Sequence, residues 1–338
     1  MMAVIPIFNF INEPVVSTSP FHGLSLEKLQ ELNDVGYTIV PDVLSNVEVS
    51  TAVTGIWEWL TTFMGAKPND PQTWLSEHWP YDNGVKGVLK NYRSLSHSQA
   101  VWDVRQHPHI QQVFSQIWNN NDLLVSYDGV GIQRPPEITQ NWSDPLGYTW
   151  HHIDQGSHPG GFQSVQGFIN LIETTEEDGC LVVYPYSHLL HAQFHQQFPT
   201  FTGNWCMLEN QHKQWFQNKG CLPIRVAAPA GSLVLWDSRV VHANATAVVQ
   251  RKKPHLFRMV VYVCMTPRIL ADHKNIAKKR KYFEEGRVTN HVPHCIAVVP
   301  RKPNTYGNSK YEAHWQRDDQ MWKLPQLTLH GYRLAGYG

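Results

Sequence analysis

Residues 229–244 read PAGSLVLWDSRVVHAN, and they indicate the fold more clearly than any other stretch. An apolar run, residues 233–236, follows a turn that contains Pro and Gly, as expected for a buried strand. A short polar segment then leads to His242. A histidine at the end of a buried strand is held in a fixed position, which suits a metal ligand. A loop histidine with a satisfied hydrogen bond would give the same pattern.

Further β-rich segments, separated by Gly, Pro and Asn, follow one another beyond residue 120. They comprise residues 123–133, 147–154, 164–172, 179–184, 222–227, 232–236 and 256–265. Many short strands at this spacing predict a double-layered β-barrel, or jelly roll. The expected fold class is therefore α+β, with a jelly-roll (double-stranded β-helix, cupin-like) core and flanking helices that are mainly N-terminal.

The first 120 residues are predicted to be mainly helical. Ser25 caps an amphipathic helix that ends at Gly36, a short strand follows at 37–41, and Ser45 opens a second helix. Two more helical stretches are predicted at 99–105 and 110–118, whereas 66–94 looks irregular. After Pro267 we expect a helix at 270–287 and then an irregular tail. We expect one domain over 1–338, divided into a helical part (1–120), a barrel core (121–267) and a C-terminal helix and tail (268–338).

The composition limits the classes of partner. The chain carries 28 basic and 28 acidic residues, so no overall field attracts nucleic acid or an anionic membrane. Its 5 cysteines form no C-x-x-C pair and are expected to be reduced thiols. The first residues lack a basic leader and a cleavage site, and no apolar run reaches the roughly 18 residues of a membrane helix. We expect a soluble, cytoplasmic protein without membrane insertion.

A metal motif is present at His152-Ile-Asp154. Non-haem iron oxygenases hold Fe(II) with two imidazoles and one carboxylate, which leaves coordination positions open for cosubstrate and dioxygen. In a strand, residues i and i+2 share a face, so His152 and Asp154 would point to the same side, with Trp150 beside them. The motif is weak by itself, because a chain with 19 histidines contains one or two such spacings by chance. An isolated match is more often a surface histidine near an acid.

Arg258 lies in an otherwise apolar strand, LFRMVVYVCM. Alternation places Arg258, Val260 and Tyr262 on one face of that strand and only apolar residues on the other. A buried guanidinium needs an anion, and its planar fork pairs with a carboxylate. The distal carboxylate of a dicarboxylic keto acid would serve, although a protein Asp or Glu is the alternative. Arg251 and Arg268 are weaker candidates for the same role.

Together these motifs resemble the phytanoyl-CoA dioxygenase family of Fe(II)- and 2-oxoglutarate-dependent oxygenases. The similarity in order and spacing rests on His152-x-Asp154, Asp178-Gly-Cys-Leu-Val-Val-Tyr-Pro-Tyr-Ser-His188, Leu-Trp-Asp-Ser-Arg-x-x-His242 and Phe-Arg258. It extends from the first helix and the segment Gly36-Tyr-Thr-Ile-Val-Pro-Asp-Val-Leu to about residue 267. Tyr186 departs from the pattern, which usually has Gly at this position.

The resemblance implies a set of site residues. It implies Fe(II) ligation by His152, Asp154 and His242, and a salt bridge from Arg258 to the C5 carboxylate of 2-oxoglutarate. Asn244 matches a position that touches the cosubstrate in this family. Asn170 and Gln166 are further candidates for cosubstrate contacts, or else ordinary inward polar residues. Asp237 and Arg239 are expected to form a structural pair. Cys180 is expected to be a small buried residue.

The implied chemistry is the oxidation of a C–H bond of a small-molecule substrate. Fe(II) is the cofactor, 2-oxoglutarate and O2 are the cosubstrates, and succinate and CO2 are released. Related halogenases have a small residue at the carboxylate position. Because Asp154 is present, we expect hydroxylation, or desaturation or ring closure, rather than halogenation.

The sequence indicates the substrate less clearly than it indicates the reaction. Candidate pocket residues are Tyr127, Arg134, Trp150, Gln155 and Trp236, for which aromatic core packing is the common alternative. Residues 189–220 are expected to form a lid or pocket wall, or else a surface loop. The sequence leaves the oligomeric state open.

Three other functions compete with this reading. A nucleic-acid demethylase would use the basic runs at 251–253 and 278–281, but zero net charge and two following glutamates favour a solvated helix face, so no nucleic acid partner is expected. A non-oxidative cupin-type metal protein would not need Arg258. A metal-free binding module would normally have lost one of the three ligands.

Overall fold

The computed structural model describes residues 21–75, 79–80, 87–138, 150–158, 160–199, 203–248, 250–300 and 309–338. The helices are α1 Leu26–Val35, α2 Asn46–Met64, α3 Arg93–Ser96, α4 Gln99–Arg105, α5 Pro108–Trp118, α6 His191–Gln197, α7 Asn210–Gln217, α8 His273–Glu284, α9 Ser309–Met321 and α10 Leu329–Leu334. The strands are β1 Tyr37–Val40, β2 Val88–Leu89, β3 Leu123–Val125, β4 Val130–Gln133, β5 His152–Ile153, β6 Val165–Asn170, β7 Cys180–Val183, β8 Cys206–Met207, β9 Ile224–Val226, β10 Leu233–Asp237, β11 His242–Ala245, β12 Arg258–Tyr262 and β13 Met265–Pro267.

Two antiparallel sheets form the core. The six-stranded sheet has the order β1-β10-β6-β12-β4-β2, and the five-stranded sheet has the order β8-β5-β11-β7-β9. Apolar side chains from both sheets pack together between them, including Phe168, Trp236 and Val260 from the first sheet and Leu181 and Val183 from the second. The predicted jelly roll is confirmed, and its interior is the space between the two sheets.

Strand β12 shows how the alternation of side chains divides the molecule. Val260 faces the interior between the sheets, whereas Met259 and Val261 pack into a larger core together with the helices. The same period-2 alternation places Leu181 of β7 inward and Val182 outward. The predicted apolar and mixed faces of this strand are therefore confirmed, and Arg258 belongs to the face that is turned toward the interior.

The N-terminal helices begin and end where their capping residues predict. The Ser25 side chain accepts a hydrogen bond from the Lys28 amide at the start of α1, and Gly36 ends α1 with a φ of 93°, in the left-handed region that favours glycine. Ser45 and Glu48 form a reciprocal capping box at the start of α2. Strand β1 follows α1 directly and pairs with β10, which joins this helical region to the barrel.

Several predicted strands are shorter or divided. The segment 123–133 forms two strands, β3 and β4, which belong to different sheets. The segment 256–265 is likewise divided: it contains β12, which ends at Tyr262, and its last residue, Met265, begins β13. Within 147–154 only His152–Ile153 is a strand, and residues 147–149 lie outside the described residues, as do residues 1–20 of the N-terminal segment. Period-2 alternation continues through such bends, so it does not reveal where a chain changes sheets.

Two helices, α9 and α10, lie in the described part of the C-terminal tail, so the prediction of a wholly irregular tail was wrong. Helix α9 is polar over most of its length and buries only Trp315 and Asp318. It packs against α3 and α2. A helix with so narrow a buried stripe is stabilised by tertiary contacts, and a single sequence gives little warning of it. The predicted helix at 270–287 is confirmed as α8.

The segment 189–220 contributes helices and a strand to the barrel. Helices α6 and α7 bury Phe194 and Phe216 in a separate apolar cluster, and β8 pairs with β5 at the edge of the five-stranded sheet. All five cysteines are free thiols. Among the residues in the ranges given above, no helix combines the length and the apolar character that a membrane span requires.

Candidate metal centre and cavity

Three side chains converge inside the barrel. One possible ligand atom from each of His152, Asp154 and His242 lies within 4.8 Å of those of the other two. The Asp154 Oδ2 atom is 3.5 Å from His152 Nε2 and 3.3 Å from His242 Nε2. Two imidazoles and one carboxylate that share a centre form the facial set expected for non-haem Fe(II). The arrangement therefore fits Fe(II), as the sequence motifs predicted.

Sheet register and backbone hydrogen bonds orient both imidazoles. His242 of β11 lies directly opposite His152 of β5, so both side chains point to the same side of the sheet. His152 Nδ1 lies 2.8 Å from the Trp150 carbonyl oxygen, and His242 Nδ1 lies 3.0 Å from the Val240 carbonyl oxygen. A carbonyl can only accept, so each Nδ1 carries the proton and donates it. Each Nε2 is consequently unprotonated and available to a metal ion.

The electrostatics of the centre also suit metal binding. Burial alone would raise the pKa of Asp154, but the imidazoles of His291, His152 and His242 bring that pKa well below its usual value. Burial lowers the pKa of His152. Both shifts favour the ionised carboxylate and the neutral imidazole, which are the forms that bind a metal ion. The Gln166 amide donates a 2.9 Å hydrogen bond to Asp154 Oδ2 and so orients this carboxylate from the neighbouring sheet.

Arg258 reaches into the same interior from β12. The side chain is buried, and its Nη1 atom donates a 2.9 Å hydrogen bond to Asn244 Oδ1 across the two sheets. Its Nη2 atom is buried and lacks a hydrogen-bond partner, and Arg258 forms no ion pair with any residue the structure describes. In contrast, Arg251 pairs with Glu137 and Asp178. An uncompensated buried guanidinium is costly, so its position is suited to an incoming carboxylate.

A cavity of about 750 Å³ opens onto the metal centre. The predicted residues Trp150, Gln166, Trp236 and Asn244 line it. Trp150 stacks on His152 with ring centroids 4.1 Å apart and an angle of 4° between the planes. The cavity volume lies within the range of about 300–1,000 Å³ that is typical of small-molecule sites.

Five predicted site residues are not among the residues that line this cavity: Arg258, which reaches it only through Asn244, and four others. The Asn170 amide donates to the carbonyl oxygens of residues 228 and 229 and holds that turn, so the cosubstrate contact expected for it is not supported. The single proton of the Tyr127 hydroxyl is shared between two backbone carbonyl oxygens in the C-terminal region, those of residues 279 and 335. Arg134 donates to the Trp74 carbonyl, and Gln155 is bonded to Gly161 and Ser238. These polar residues are buried because they satisfy backbone groups, a role that alternation alone cannot distinguish from binding.

The structural role predicted for two other residues is confirmed. The Arg239 Nη2 atom lies 2.6 Å from Asp237 Oδ2, and the Asp237 carboxylate also accepts a hydrogen bond from the Arg239 amide. This pair holds the turn between β10 and β11. Cys180 is buried on the outer face of β7, as expected for a small packing residue.

The sequence reasoning missed three polar residues of the cavity lining. Lys90, Asp128 and His291 line the cavity, and His291 Nε2 lies 3.8 Å from Asp154 Oδ2. His291 belongs to an irregular stretch after α8 and has neither a motif nor a strand pattern around it. No signal in the local sequence could have identified it. Trp205 and Met207, which also line the cavity, lie in the predicted pocket-wall segment.

The two basic runs are largely engaged within the protein. Arg251 is buried in the ion pairs described above, and Lys253 pairs with Glu173. In the second run Lys279 is buried with its ammonium over the Tyr127 ring. These cations are therefore not available together as a surface for phosphates.

Comparison with known proteins places the chain in a family. Residues 32–253 match the model for the phytanoyl-CoA dioxygenase family. The chain is 28% identical over 281 residues to "Ava biosynthesis cluster protein O" of Aspergillus versicolor, covering 78% of this chain and 85% of that protein. It is also 24% identical over 241 residues to a putative phytanoyl-CoA dioxygenase of Dictyostelium discoideum, covering 62% and 67% of the two chains.

Solved structures share the fold at low sequence identity. The non-heme alpha-ketoglutarate-dependent carbocyclase SnoK from nogalamycin biosynthesis superposes with a TM-score of 0.51 at 20% identity, covering 76% of this chain and 87% of that one. GlcNAc Inducible Gene 2 of Candida albicans gives a TM-score of 0.57 at 11% identity, with coverage of 93% and 80%. With the family-model match and the His-Asp-His centre, the conclusion is that this chain belongs to the phytanoyl-CoA dioxygenase family.

Proposed function

We propose that this protein is an Fe(II)- and 2-oxoglutarate-dependent dioxygenase that oxidises a C–H bond of a small molecule, most simply by hydroxylation. His152, Asp154 and His242 would hold the metal ion. The guanidinium of Arg258, supported by Asn244, would bind the far carboxylate of 2-oxoglutarate. The name of the Aspergillus relative, a biosynthesis cluster protein, supports a small-molecule substrate.

The observation that carries this proposal is the buried guanidinium of Arg258, which donates to Asn244, a residue that lines the same cavity as the three ligands. Arg258 is only 3% exposed, and its Nη2 atom has no partner among the described residues. A non-oxidative cupin would gain nothing from a buried charge at this position, and the charge destabilises the fold when it is unpaired. A dicarboxylic keto acid would satisfy it, because a carboxylate matches the guanidinium fork.

When bound, Fe(II) and 2-oxoglutarate supply the oxidising power, with dioxygen as oxidant and succinate and CO2 as coproducts. The protein supplies positioning. Gln166 holds the Asp154 carboxylate, the backbone hydrogen bonds at Nδ1 hold the two imidazoles, and Trp150 covers one face of His152 and limits access of water. A carboxylate at position 154 occupies the third ligand site, which favours hydroxylation, desaturation or ring closure over halogenation.

An anaerobic spectroscopic titration tests the proposal. Purified protein with Fe(II) and 2-oxoglutarate should show the weak visible charge-transfer band of the chelate. Asp154→Ala should abolish the band, because the metal ion loses a ligand. Arg258→Met should raise the 2-oxoglutarate concentration needed for half of the band by about 10- to 100-fold, as expected for a lost charged hydrogen bond of about 1.5–3 kcal/mol.

Matched controls separate these effects from general damage. Asp34→Ala removes an exposed carboxylate from α1, and Arg268→Met removes a guanidinium that pairs with Asp122 at the surface. Both variants should keep the parent band. Absence of the band in the parent protein under conditions where Fe(II) binds would reject the dioxygenase assignment in favour of a non-oxidative metal protein.

A further inference from the structure

The cavity has two chemically different walls. Trp150, Trp205 and Met207 lie together beside His152 and form the part of the lining that we call the aromatic wall. Lys90, Asp128 and His291 form the part that we call the polar wall. His291 belongs to a segment beyond residue 253, where the match to the family model ends. The polar wall therefore includes a side chain that lies outside the matched region and, although its Nε2 atom is 3.8 Å from Asp154 Oδ2, is not one of the proposed metal or cosubstrate ligands.

The segment that carries His291 is held firmly in place. The Thr289 amide donates to the Tyr127 carbonyl, and Thr289 forms a bridge with Val298. The Asn290 side chain accepts from the Ala297 amide and donates to the Cys295 carbonyl. With their polar groups used in this way, Thr289 and Asn290 serve to present the next residue. The His291 imidazole is 28% exposed and forms no hydrogen bond with any residue the structure describes.

Asp128 and Lys90 are brought beside His291 by a close backbone approach. A Cβ atom at Gly129 would lie 2.7 Å from Lys90 Cα, so only glycine allows these two segments to touch. The Asp128 carboxylate lines the cavity and has no hydrogen bond or ion pair within the described ranges. Burial raises the pKa of Asp128 against the opposing influence of His291, Arg105 and Lys90. Asp128 is half-buried, and its carboxyl group can accept hydrogen bonds from N–H or O–H groups of a ligand in the cavity.

The aromatic wall is suited to contact a different, apolar part of the ligand. Trp150 and Trp205 lie with ring centroids 6.1 Å apart, and Trp205 and Met207 are 47% and 44% exposed. Aromatic faces and a thioether offer apolar contact to a flat ring system. Because Trp205 and Met207 are partly exposed at the cavity beside Trp150, their apolar surfaces are available to a ligand.

We propose, on the basis of the proposed dioxygenase function, that the substrate is a compact, uncharged aromatic or polycyclic molecule that carries neighbouring hydrogen-bond donors and acceptors. Its ring system lies on the aromatic wall. Its N–H or O–H group donates to Asp128, and its oxygen accepts from Lys90 or His291. The polar wall thus decides which substrate is accepted and presents one C–H bond to the metal centre.

Charge argues against a coenzyme A thioester, the substrate type in the family's name. Coenzyme A carries a diphosphate and a third phosphate, and such groups are recognised by several Lys or Arg side chains. Among the described residues that line the cavity, Lys90 is the one Lys or Arg, and a carboxyl group lies in the same wall. An uncharged ligand with both donors and acceptors satisfies this mixture, whereas a polyanion does not.

The experiment compares two substrate panels on the Fe(II) protein. One panel contains uncharged aromatic and polycyclic amides, lactams and phenols, and the other contains straight-chain and branched acyl-CoA thioesters. The readouts are substrate-dependent succinate release and a shift of the anaerobic chelate band on binding. We expect a response from the first panel only. For the best compound, Asp128→Asn and His291→Phe should each raise KM at least 10-fold, with a smaller effect on the KM for 2-oxoglutarate.

Two controls and a second variant keep the test decisive. Asp42→Asn and His273→Gln change exposed residues of the same types far along the chain and should leave the substrate KM at the parent value. Lys90→Met provides an independent change in the polar wall if either other variant fails to fold. His291→Gln, which keeps a hydrogen-bonding group, should restore part of the affinity that His291→Phe loses.

The outcomes separate the two proposals. A chelate band in the parent with a response to acyl-CoA alone, or to neither panel, would overturn the inferred substrate class and leave the dioxygenase function standing. Substrate KM values within 2-fold of the parent for all three polar-wall variants would overturn the role of that wall. Failure of the band itself in the parent protein would overturn the proposed function first.

Discussion

The metal centre and the polar wall face the same cavity, yet they are built in opposite ways. His152 and His242 lie opposite each other on the paired strands β5 and β11, and Asp154 follows directly after β5, so strand register and alternation position the centre. His291 is positioned by a loop that depends on side-chain hydrogen bonds and on contacts with distant segments. This difference indicates that strand patterns in the sequence determine the residues of the metal centre. The residues proposed to bind the substrate are instead positioned by tertiary contacts between distant segments.

The largest expected effect lies in the metal centre. His242→Ala removes one of three ligands without touching the neighbouring strands, so the affinity for Fe(II) should fall by more than about 100-fold, above the range seen when only a supporting residue is lost. Equilibrium dialysis against Fe(II) under anaerobic conditions measures this change. His273→Ala, at the exposed start of α8, serves as control. Near-parental affinity in His242→Ala would place the metal ion elsewhere.

The C-terminal region should instead respond to pH. Burial raises the pKa of Asp318 in α9 to about 6, although hydrogen bonds from the Ser94 hydroxyl and backbone and from the Arg93 amide oppose that rise. The folded-state pKa lies above the unfolded value of about 3.9, so this group's contribution is complete below about pH 4 and is lost as the pH rises through 6. The resulting loss should be on the order of 2 kcal/mol between pH 4 and 7.5.

Urea unfolding at several pH values isolates this contribution. Asp318→Asn cannot ionise, so its free energy of unfolding should fall less between pH 5 and 7.5 than that of the parent. Asp319→Asn changes the neighbouring, more exposed carboxylate and should keep the parental dependence. Identical pH profiles for the parent and Asp318→Asn would show that this carboxyl group is not shifted.

The same contrast explains what the sequence could and could not predict. Strand alternation placed Arg258 in the barrel interior, and capping residues placed the ends of α1 and α2, because both signals act over a few residues. The sequence left Asn170 open between a cosubstrate contact and an ordinary inward polar residue, because an inward polar residue can bind backbone carbonyls as readily as a ligand. His291 and the helix α9 escaped prediction because their positions depend on contacts with residues far away in the chain.

A smaller effect should follow from the support of the metal centre. Gln166→Leu keeps a side chain of similar size but removes the hydrogen bond to Asp154 Oδ2. The carboxylate then loses one orienting partner, and Fe(II) affinity should fall by about 10-fold, the lower end of the range for such supporting residues. Asn170→Leu is the matched comparison, because Asn170 lies on the same strand but bonds to a turn. Its Fe(II) affinity should stay within about 2-fold of the parent, and a similar loss in both would indicate general damage to β6.

The smallest effect concerns the outer support of the metal-binding strand. Tyr186 has a φ of 68° and is 51% exposed, at the position where the family pattern has Gly. The next residue, Ser187, accepts a hydrogen bond from the Val241 amide, directly before His242. The left-handed conformation costs a residue with a Cβ atom about 1–2 kcal/mol, and Tyr186→Gly relieves this cost. Glycine also adds backbone entropy to the unfolded state, which lowers the free energy of unfolding by about 0.5–1 kcal/mol.

The Tyr186→Gly variant should therefore become up to about 1 kcal/mol more stable to urea. Tyr186→Ala removes the same ring but keeps the Cβ atom, so it should show no such gain. A loss of stability in both variants would mean that the tyrosine ring, rather than the backbone, determines this turn, and the metal-binding strand would then depend on a side-chain contact as the polar wall does.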